Sequence, residues 1–204
     1  MIIYMYDDRF DILCVTNRLL CKEAFLERIE KIALAKPTGV ILREKDLNET
    51  DYRELAKQVM ERCEKHHVRC ILHSYADVAA TLNCPALHLP LPALRVLSSE
   101  KKAVFSMLGA SCHSVEEAVE AEALGCTYIT TGHIFATDCK SGVPGRGIDF
   151  LERVCESVSV PVYAIGGITT DTIAKVRKSK AAGACVMSGL MTCENVRVYL
   201  ENLK

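Results

Sequence analysis

Residues 160–189 read VPVYAIGGITTDTIAKVRKSKAAGACVMSG, and this stretch decides the fold. An apolar run at 160–165 ends in two glycines, an amphipathic segment follows over 170–180, and a second apolar run covers 184–187. Short apolar runs that alternate with helical segments are typical of βα units whose strands lie parallel in one sheet. Pro161 stands at the first turn of its run, where a strand tolerates proline. We therefore predict a βαβ unit here.

The same alternation extends over the rest of the chain. Strand-like apolar runs precede the quoted stretch at 12–16, 39–42, 68–72, 86–89, 107–110 and 128–131. Further helical patterns lie at 22–35, 51–66, 77–82, 98–103, 115–124, 148–158 and 193–203. Ser114 with Glu117 forms a capping box at the start of one of them. Eight such units at a spacing of about 20–30 residues predict a single (β/α)8 TIM barrel over residues 1–204. An open doubly wound sheet is the alternative.

Composition excludes several classes of function. The 25 basic and 26 acidic residues give a formal net charge of −1, and no basic patch suits nucleic acid or an anionic membrane. No apolar run approaches the roughly 20 residues that span a bilayer, and the N-terminal run is not a signal peptide. The 11 cysteines lack Cys-x-x-Cys spacing, which predicts free thiols in a reducing cytoplasm. The segment Met1 to Tyr6 receives no assignment.

In a barrel of this type, functional residues follow the strands, where the βα loops begin. Arg43-Glu44-Lys45 follows the second apolar run and places two cations within three residues. Arg43 could bind a carboxylate or phosphate as a fork, and Lys45 could do so as a point charge. A solvated charged loop is the alternative.

Small residues follow the last two strands. Gly166 and Gly167 come after the seventh run, and Ser188 and Gly189 come after the eighth. Glycines at such turns let backbone N–H groups approach an anion. The last two loops of a barrel often bind phosphate, so we predict a phosphate site here. Tight turns without a ligand are the alternative.

The loop after the sixth run reads TGHIFATDCKSGVPGRG over residues 131–147. His133 stands at its start, and histidine is the natural group for moving protons near neutral pH. We expect Thr137 and Lys140 of the same loop to contact a substrate. A packed, hydrogen-bonded His133 is the alternative.

Four of these segments occur together in one superfamily. They are LREK at 42–45, GHIFATDCK at 132–140, AIGGI at 164–168 and VMSG at 186–189. In this order they resemble the thiamin phosphate synthase superfamily, and within it the thiazole tautomerase branch of TenI-like proteins. Synthases of the family usually carry Gly-Pro where this chain has Gly132-His133, and tautomerases resemble this chain there.

The chain departs from the synthases at two strand ends. The resemblance implies that a synthase holds pyrophosphate through Mg²⁺, with one Asp after the third strand and another after the fourth. This chain has His73-Ser74 at the first position and Ala93 at the second. Mg²⁺ usually needs one or two carboxylates besides phosphate, so the sequence argues against pyrophosphate displacement and predicts no metal. His73 replaces an Asn that tautomerases tend to keep, and it could contact substrate or simply pack.

The resemblance implies a thiazole tautomerase that aromatises a carboxylated thiazole phosphate without a cofactor. It assigns proton transfer to His133, carboxylate binding to Arg43 and Lys45, and phosphate binding to Gly166, Gly167, Ser188 and Gly189. The expected partner is a small phosphorylated thiazole, and a homodimer is possible. A Mg²⁺-dependent thiamin phosphate synthase and a non-catalytic regulator that binds thiazole phosphate are the alternatives.

Overall fold

The computed structural model describes residues 10–137 and 142–204. Eight parallel strands close into a barrel in which neighbours follow chain order and the eighth strand pairs with the first. The strands are β1 Asp11–Val15, β2 Gly39–Leu42, β3 Arg69–His73, β4 Ala86–Pro90, β5 Met107–Cys112, β6 Tyr128–Gly132, β7 Val162–Ile165 and β8 Gly183–Val186. The predicted TIM barrel is confirmed, and the open doubly wound sheet is wrong.

Helices follow the strands around the outside of the barrel. Within the described ranges they are α1 Phe25–Ala35, α2 Glu49–Lys65, α3 Ala76–Thr81, α4 Leu91–Val96, α5 Ser99–Lys102, α6 Val115–Ala123, α7 Ile148–Ser157, α8 Ile173–Arg177, α9 Ser188–Thr192 and α10 Val196–Glu201. None of these helices is long and apolar enough to cross a membrane.

Three helical segments differ from the sequence prediction, and one of them, α9, directly follows β8 where no helix was predicted. A separate helix, α4, begins at Leu91 with Pro92 in its first turn, where the missing N–H of proline costs no helical hydrogen bond. The segment predicted as one helix at 193–203 contains only α10, which begins after Asn195 caps it by accepting a hydrogen bond from Val198 N at 3.1 Å. The prediction missed these starts because each helix is short and its apolar pattern covers under two turns.

The capping box of α6 is confirmed in part. Glu117 N donates to Ser114 Oγ at 3.1 Å, which satisfies one of the unpaired N–H groups at the helix start. The carboxylate of Glu117 accepts from the backbone N–H of His113, one residue earlier than a standard box. The start of α6, and with it the end of β5, is thereby fixed.

A cluster of side chains fills the barrel and is distinct from the core between strands and helices. Its buried members are Leu13, Val15, Ile41, Ile71, Ala86, Tyr128, Tyr163 and Cys185. Gly109 leaves the space that Tyr128 occupies, because a Cβ at Gly109 would lie 2.1 Å from Cζ of that ring. Side chains alternate across a strand, so residues two positions beyond this cluster face the mouth of the barrel. Arg43, His73, His88 and Thr130 are among them.

Some predicted features fall outside the described ranges. Lys140 of the long loop lies there, as does the segment Met1 to Tyr6. The cysteines within the described ranges are free thiols, as the sequence predicts.

Candidate active site at the barrel mouth

His88 lies on β4 at the mouth of the barrel, where its side chain contacts residues of the next two strands. Its Nδ1 lies 2.9 Å from the Tyr128 hydroxyl and its Nε2 lies 2.8 Å from Ser111 Oγ, with Thr130 Oγ1 at 3.4 Å. Burial, and then the charge of Arg43, lowers the pKa of His88 to about 3. His88 is therefore a neutral imidazole whose two nitrogens are both engaged, and it braces the mouth.

His73 lies beside it. The two imidazoles stack with centroids 5.6 Å apart, and Nδ1 of His73 lies 2.6 Å from Ser74 Oγ. Burial is the largest cause that lowers the pKa of His73 to about 2, followed by His88, Arg43 and Lys45. The structure thus brings His73 together with both cations of the second loop, at the functional end of the barrel.

Glu44 sets the position of Arg43, and sequence reasoning gave Glu44 no role. Its buried carboxylate accepts from Thr16 Oγ1 at 2.6 Å and from Arg18 Nη1 at 3.2 Å. Thr16 Oγ1 also accepts from Arg43 N at 2.9 Å, so the loop backbone is tied to the end of β1. The alternation of side chains along a strand is a sequence signal that could have indicated this role. Adjacent residues face opposite sides, so Glu44 should point away from the side that Arg43 and Lys45 face.

The guanidinium of Arg43 makes no hydrogen bond or ion pair within residues 10–137 and 142–204. Arg43 is half-buried and Lys45 is exposed. A cation at the mouth whose donors remain open fits the predicted anion-binding role.

The glycine turn after β7 is held by the loop that follows β6. Gly166 and Gly167 have φ values of 94° and 66°, in the left-handed region that favours glycine. A Cβ at Gly166 would lie 2.3 Å from His133 Cβ, and one at Gly167 would lie 2.5 Å from Ala136 O. These glycines are therefore needed for two reasons: the turn requires their backbone conformation, and the loop after β6 packs too closely to leave room for a side chain.

Unpaired N–H groups remain at the ends of β7 and β8. The two strands pair with Ile165 opposite Cys185, so their turns are neighbours. The N–H groups of Gly167, Ser188 and Gly189 donate to nothing in the described part of the chain. They fit the predicted phosphate site. Gly189 has a structural reason too, because a Cβ there would lie 1.9 Å from Tyr199 Oη.

His133 is buried at the start of the loop that follows β6. Its Nε2 lies 3.1 Å from the carbonyl oxygen of Val143, which can only accept, so Nε2 carries a hydrogen. Nδ1 is buried without a partner among the described residues. The packed alternative thus accounts for one ring nitrogen and leaves the other open.

Thr137 is half-buried, and its side chain makes no hydrogen bond within the described ranges. Its predicted contact with substrate has no structural support beyond its place in the loop. Lys140 lies outside the described residues, so its predicted role stays a prediction.

The residues present do not fit the Mg²⁺ that the resemblance implies for a synthase. A cavity of about 430 Å³ beside the mouth is lined by Ser74 and Ala93 at the two expected carboxylate positions. Its acidic residues are already paired on the surface, Asp77 with Lys101 at 2.6 Å and Glu49 with Arg53 at 2.7 Å. The described ranges contain no group of three His, Cys, Asp or Glu side chains that could hold a metal ion. Asp77 lies within α3 and does not cap it.

Comparison with known proteins decides the family. The model for the thiamine monophosphate synthase family matches residues 12–190. The chain belongs to this family. Thiamine-phosphate synthase 2 of Streptococcus pneumoniae is 36% identical over 194 residues, which cover 92% of this chain and 90% of that protein. Thiamine-phosphate synthase of Clostridium acetobutylicum is 32% identical over 189 residues, covering 90% of this chain and 88% of that protein.

Solved structures agree with the family assignment. Thiamine phosphate pyrophosphorylase from Pyrococcus furiosus superposes with a TM-score of 0.81 at 27% identity, over 98% of this chain and 95% of that one. 3-Hexulose-6-phosphate synthase superposes with a TM-score of 0.70 at 17% identity, over 94% of this chain and 97% of that one. The second likeness concerns the fold alone.

The tautomerase interpretation of the sequence is wrong. The two relatives named above, which cover 92% and 90% of this chain, are named as synthases, and synthases are transferases and not isomerases. The superfamily was identified correctly, but the branch was not. The choice of the tautomerase branch depended on a few positions, above all His133 and the missing carboxylates. Identity over nearly the whole chain is a better guide to the branch than these few positions.

Proposed function

We propose that the chain joins a phosphorylated thiazole to a pyrimidine that carries pyrophosphate, as a thiamine-phosphate synthase. The observation that carries the proposal is the 36% identity over 92% of the chain to a protein of that name. In this reaction the thiazole nitrogen forms a bond to the pyrimidine methylene carbon. The bond from that carbon to oxygen breaks, and pyrophosphate leaves with its electron pair. No oxidant and no net proton transfer are needed.

The phosphate of the thiazole binds at the turns after β7 and β8. Support comes from the unpaired N–H groups of Gly167, Ser188 and Gly189, which lie on neighbouring turns. Converging N–H groups favour an anion because they supply donors with a fixed orientation. Gly166 serves this site by permitting the turn.

His133 contributes an acceptor to the bound pyrimidine. Support comes from its buried Nδ1, which has no partner among the described residues while Nε2 is engaged by Val143 O. An acceptor that binds an amino N–H of the ring directs electron density into the ring. Positive charge that develops on the methylene carbon as pyrophosphate leaves is stabilised in this way.

Arg43 and Lys45 bind the second anion of the reaction. Support comes from the position of Arg43 beside His73, given by the pairing of Leu42 with Leu72, and from its guanidinium, which has no hydrogen bond or ion pair among the described residues. The neutral imidazoles of His73 and His88 keep the floor of the mouth uncharged beneath these cations.

The test is product formation. The purified protein is mixed with thiazole phosphate and pyrimidine pyrophosphate, and thiamine phosphate and pyrophosphate are quantified over time. We expect both products in equal amounts. The reaction is run once with Mg²⁺ and once with chelator. Absence of product under both conditions would overturn the proposal.

A non-catalytic binding protein is the second candidate function. The observation that favours it is the pair Ser74 and Ala93, which leaves the expected carboxylate positions without an anion. This candidate predicts binding of thiazole phosphate, measured by calorimetry, without any product in the assay above.

A further inference from the structure

Among the described residues, the third and fourth strand ends carry no carboxylate that is left without a partner. Ser74 Oγ is engaged by His73 Nδ1 at 2.6 Å, and Ala93 carries no polar atom in its side chain. Of the acidic residues that line the adjoining cavity, Asp77 is paired with Lys101 and Glu49 with Arg53. The carboxylate of Glu44, after β2, is buried and engaged by Thr16 and Arg18. A divalent cation would find no anionic ligand among these residues, although hard cations need oxygen donors that carry charge.

The charges at the same mouth have the opposite sign. Leu42 of β2 pairs with Leu72 of β3, so Arg43 follows β2 beside His73 at the end of β3. The charges of Arg43 and Lys45 both act on the imidazole of His73. The charge of Arg43 also acts on His88 at the end of β4. The positive charge that Arg43 and Lys45 bring to these two strand ends disfavours a divalent cation and attracts a polyanion.

We propose that this chain binds the pyrophosphate group directly on Arg43 and Lys45, as the anion without a divalent cation. The inference rests on the proposed function, because that function makes pyrophosphate a part of the substrate and a product. The guanidinium of Arg43 offers a fork of donors that matches two phosphate oxygens, and Lys45 adds a point charge. Neutral His73 and Ser74 complete the subsite at its edge.

Calorimetric titration with sodium pyrophosphate tests the proposal. We expect binding in chelator to be at least as tight as in excess Mg²⁺. Arg43→Gln should weaken binding in chelator at least tenfold, and Arg43→Lys should weaken it less because it keeps the charge. Arg197→Gln is the matched control, since Arg197 lies on the surface of α10 in an ion pair with Glu201. The affinity of this variant for pyrophosphate should stay within twofold of wild type.

A second variant tests the role of the missing carboxylates. Ser74→Asp combined with Ala93→Asp restores the two anions, and Asp tolerates the left-handed backbone at Ser74, where φ is 69°. Circular dichroism verifies that the variant is folded. Mg²⁺ should then tighten pyrophosphate binding at least tenfold in the double variant and leave the wild type within twofold.

Wild-type binding of pyrophosphate that requires Mg²⁺ would overturn the inference, as would an Arg43→Gln variant with unchanged affinity. These outcomes differ from failure of the proposed function. A protein that forms product only with Mg²⁺ keeps the function and loses the inference. A protein that binds pyrophosphate in chelator but forms no product keeps the metal-free subsite and loses the function.

Discussion

Ser188 tests the phosphate site with little disturbance of the packing. Its side chain is exposed, and its N–H is unpaired in the described part of the chain. Gly189 is a poorer choice, because any side chain there collides with Tyr199. Ser188→Asp adds a carboxylate beside the unpaired N–H groups, so it should weaken binding of thiazole phosphate at least tenfold, about 1.4 kcal/mol or more.

The control for this prediction is Ser106→Asp. Ser106 is exposed and precedes β5, at the opposite end of the barrel. Calorimetry should give it wild-type affinity for thiazole phosphate, and the unphosphorylated alcohol should bind Ser188→Asp as it binds wild type. Equal losses for phosphate and alcohol would place the phosphate elsewhere.

At His133 the two ring nitrogens have different partners, and two variants separate them. His133→Asn keeps an acceptor near the position of Nδ1, whereas His133→Gln keeps a polar group near that of Nε2, which binds Val143 O. If Nδ1 contacts substrate, Asn should retain the larger part of the turnover rate. Gln should lose about 10-fold or more, the order expected for removal of a transition-state hydrogen bond. Initial rates of thiamine phosphate formation decide, and a Gln variant more active than Asn would refute the assignment.

At the scale of an element, α6 shows how one cap positions a strand end. Ser114 accepts from Glu117 N, and the carboxylate of Glu117 accepts from His113 N, directly after β5. Ser114→Ala should lower the free energy of unfolding by about 0.5–2 kcal/mol, as loss of an N-cap does. Urea denaturation measures this loss. Ser98→Ala, which removes the cap of the four-residue α5, should cost less because fewer helical residues depend on it.

The loop after β6 is the second element on which the site depends. Arg146 N donates to His133 O and Gly147 N donates to Ile134 O, so the loop returns to its own start. Gly166 and Gly167 of the next turn touch the same segment. The acceptor at His133 and the N–H groups after β7 are therefore positioned together.

At the scale of the whole molecule, the buried histidines couple stability to pH. The folded pKa values of His73 and His88 are lowered to about 2 and about 3. An unfolded histidine has a pKa of about 6.5, so below that pH the unfolded chain binds protons that the folded chain does not. Stability should be complete above pH of about 6.5 and fall as the pH decreases, by up to about 2.7 kcal/mol per pH unit for two histidines.

Urea denaturation at several pH values between about 6.5 and 4.5 measures this slope, since carboxylates with pKa values of about 4 contribute less there. His73→Asn removes one of the two titrating groups and should flatten the slope by up to half. His88 is less suitable for this substitution, because both of its ring nitrogens are engaged and its loss would also disturb the packing. A slope that does not change in His73→Asn would contradict the prediction.

The sequence alone determined the barrel, because eight apolar runs separated by helical patterns leave few other ways to bury their surfaces. It also located the strand-end residues, since the βα loops of such a barrel meet at one end. It pointed to the tautomerase branch, which the names of nearly full-length relatives contradict.

Only the tertiary structure showed that Glu44 is engaged by Thr16 and Arg18, while the guanidinium of Arg43 has no hydrogen bond or ion pair within residues 10–137 and 142–204. It alone showed that His73 stacks on His88, and that Gly189 is required by Tyr199. These contacts join residues distant in the chain or depend on side-chain direction. Local sequence patterns report periodicity and turns, but they do not contain the distances between groups that closure of the barrel brings together.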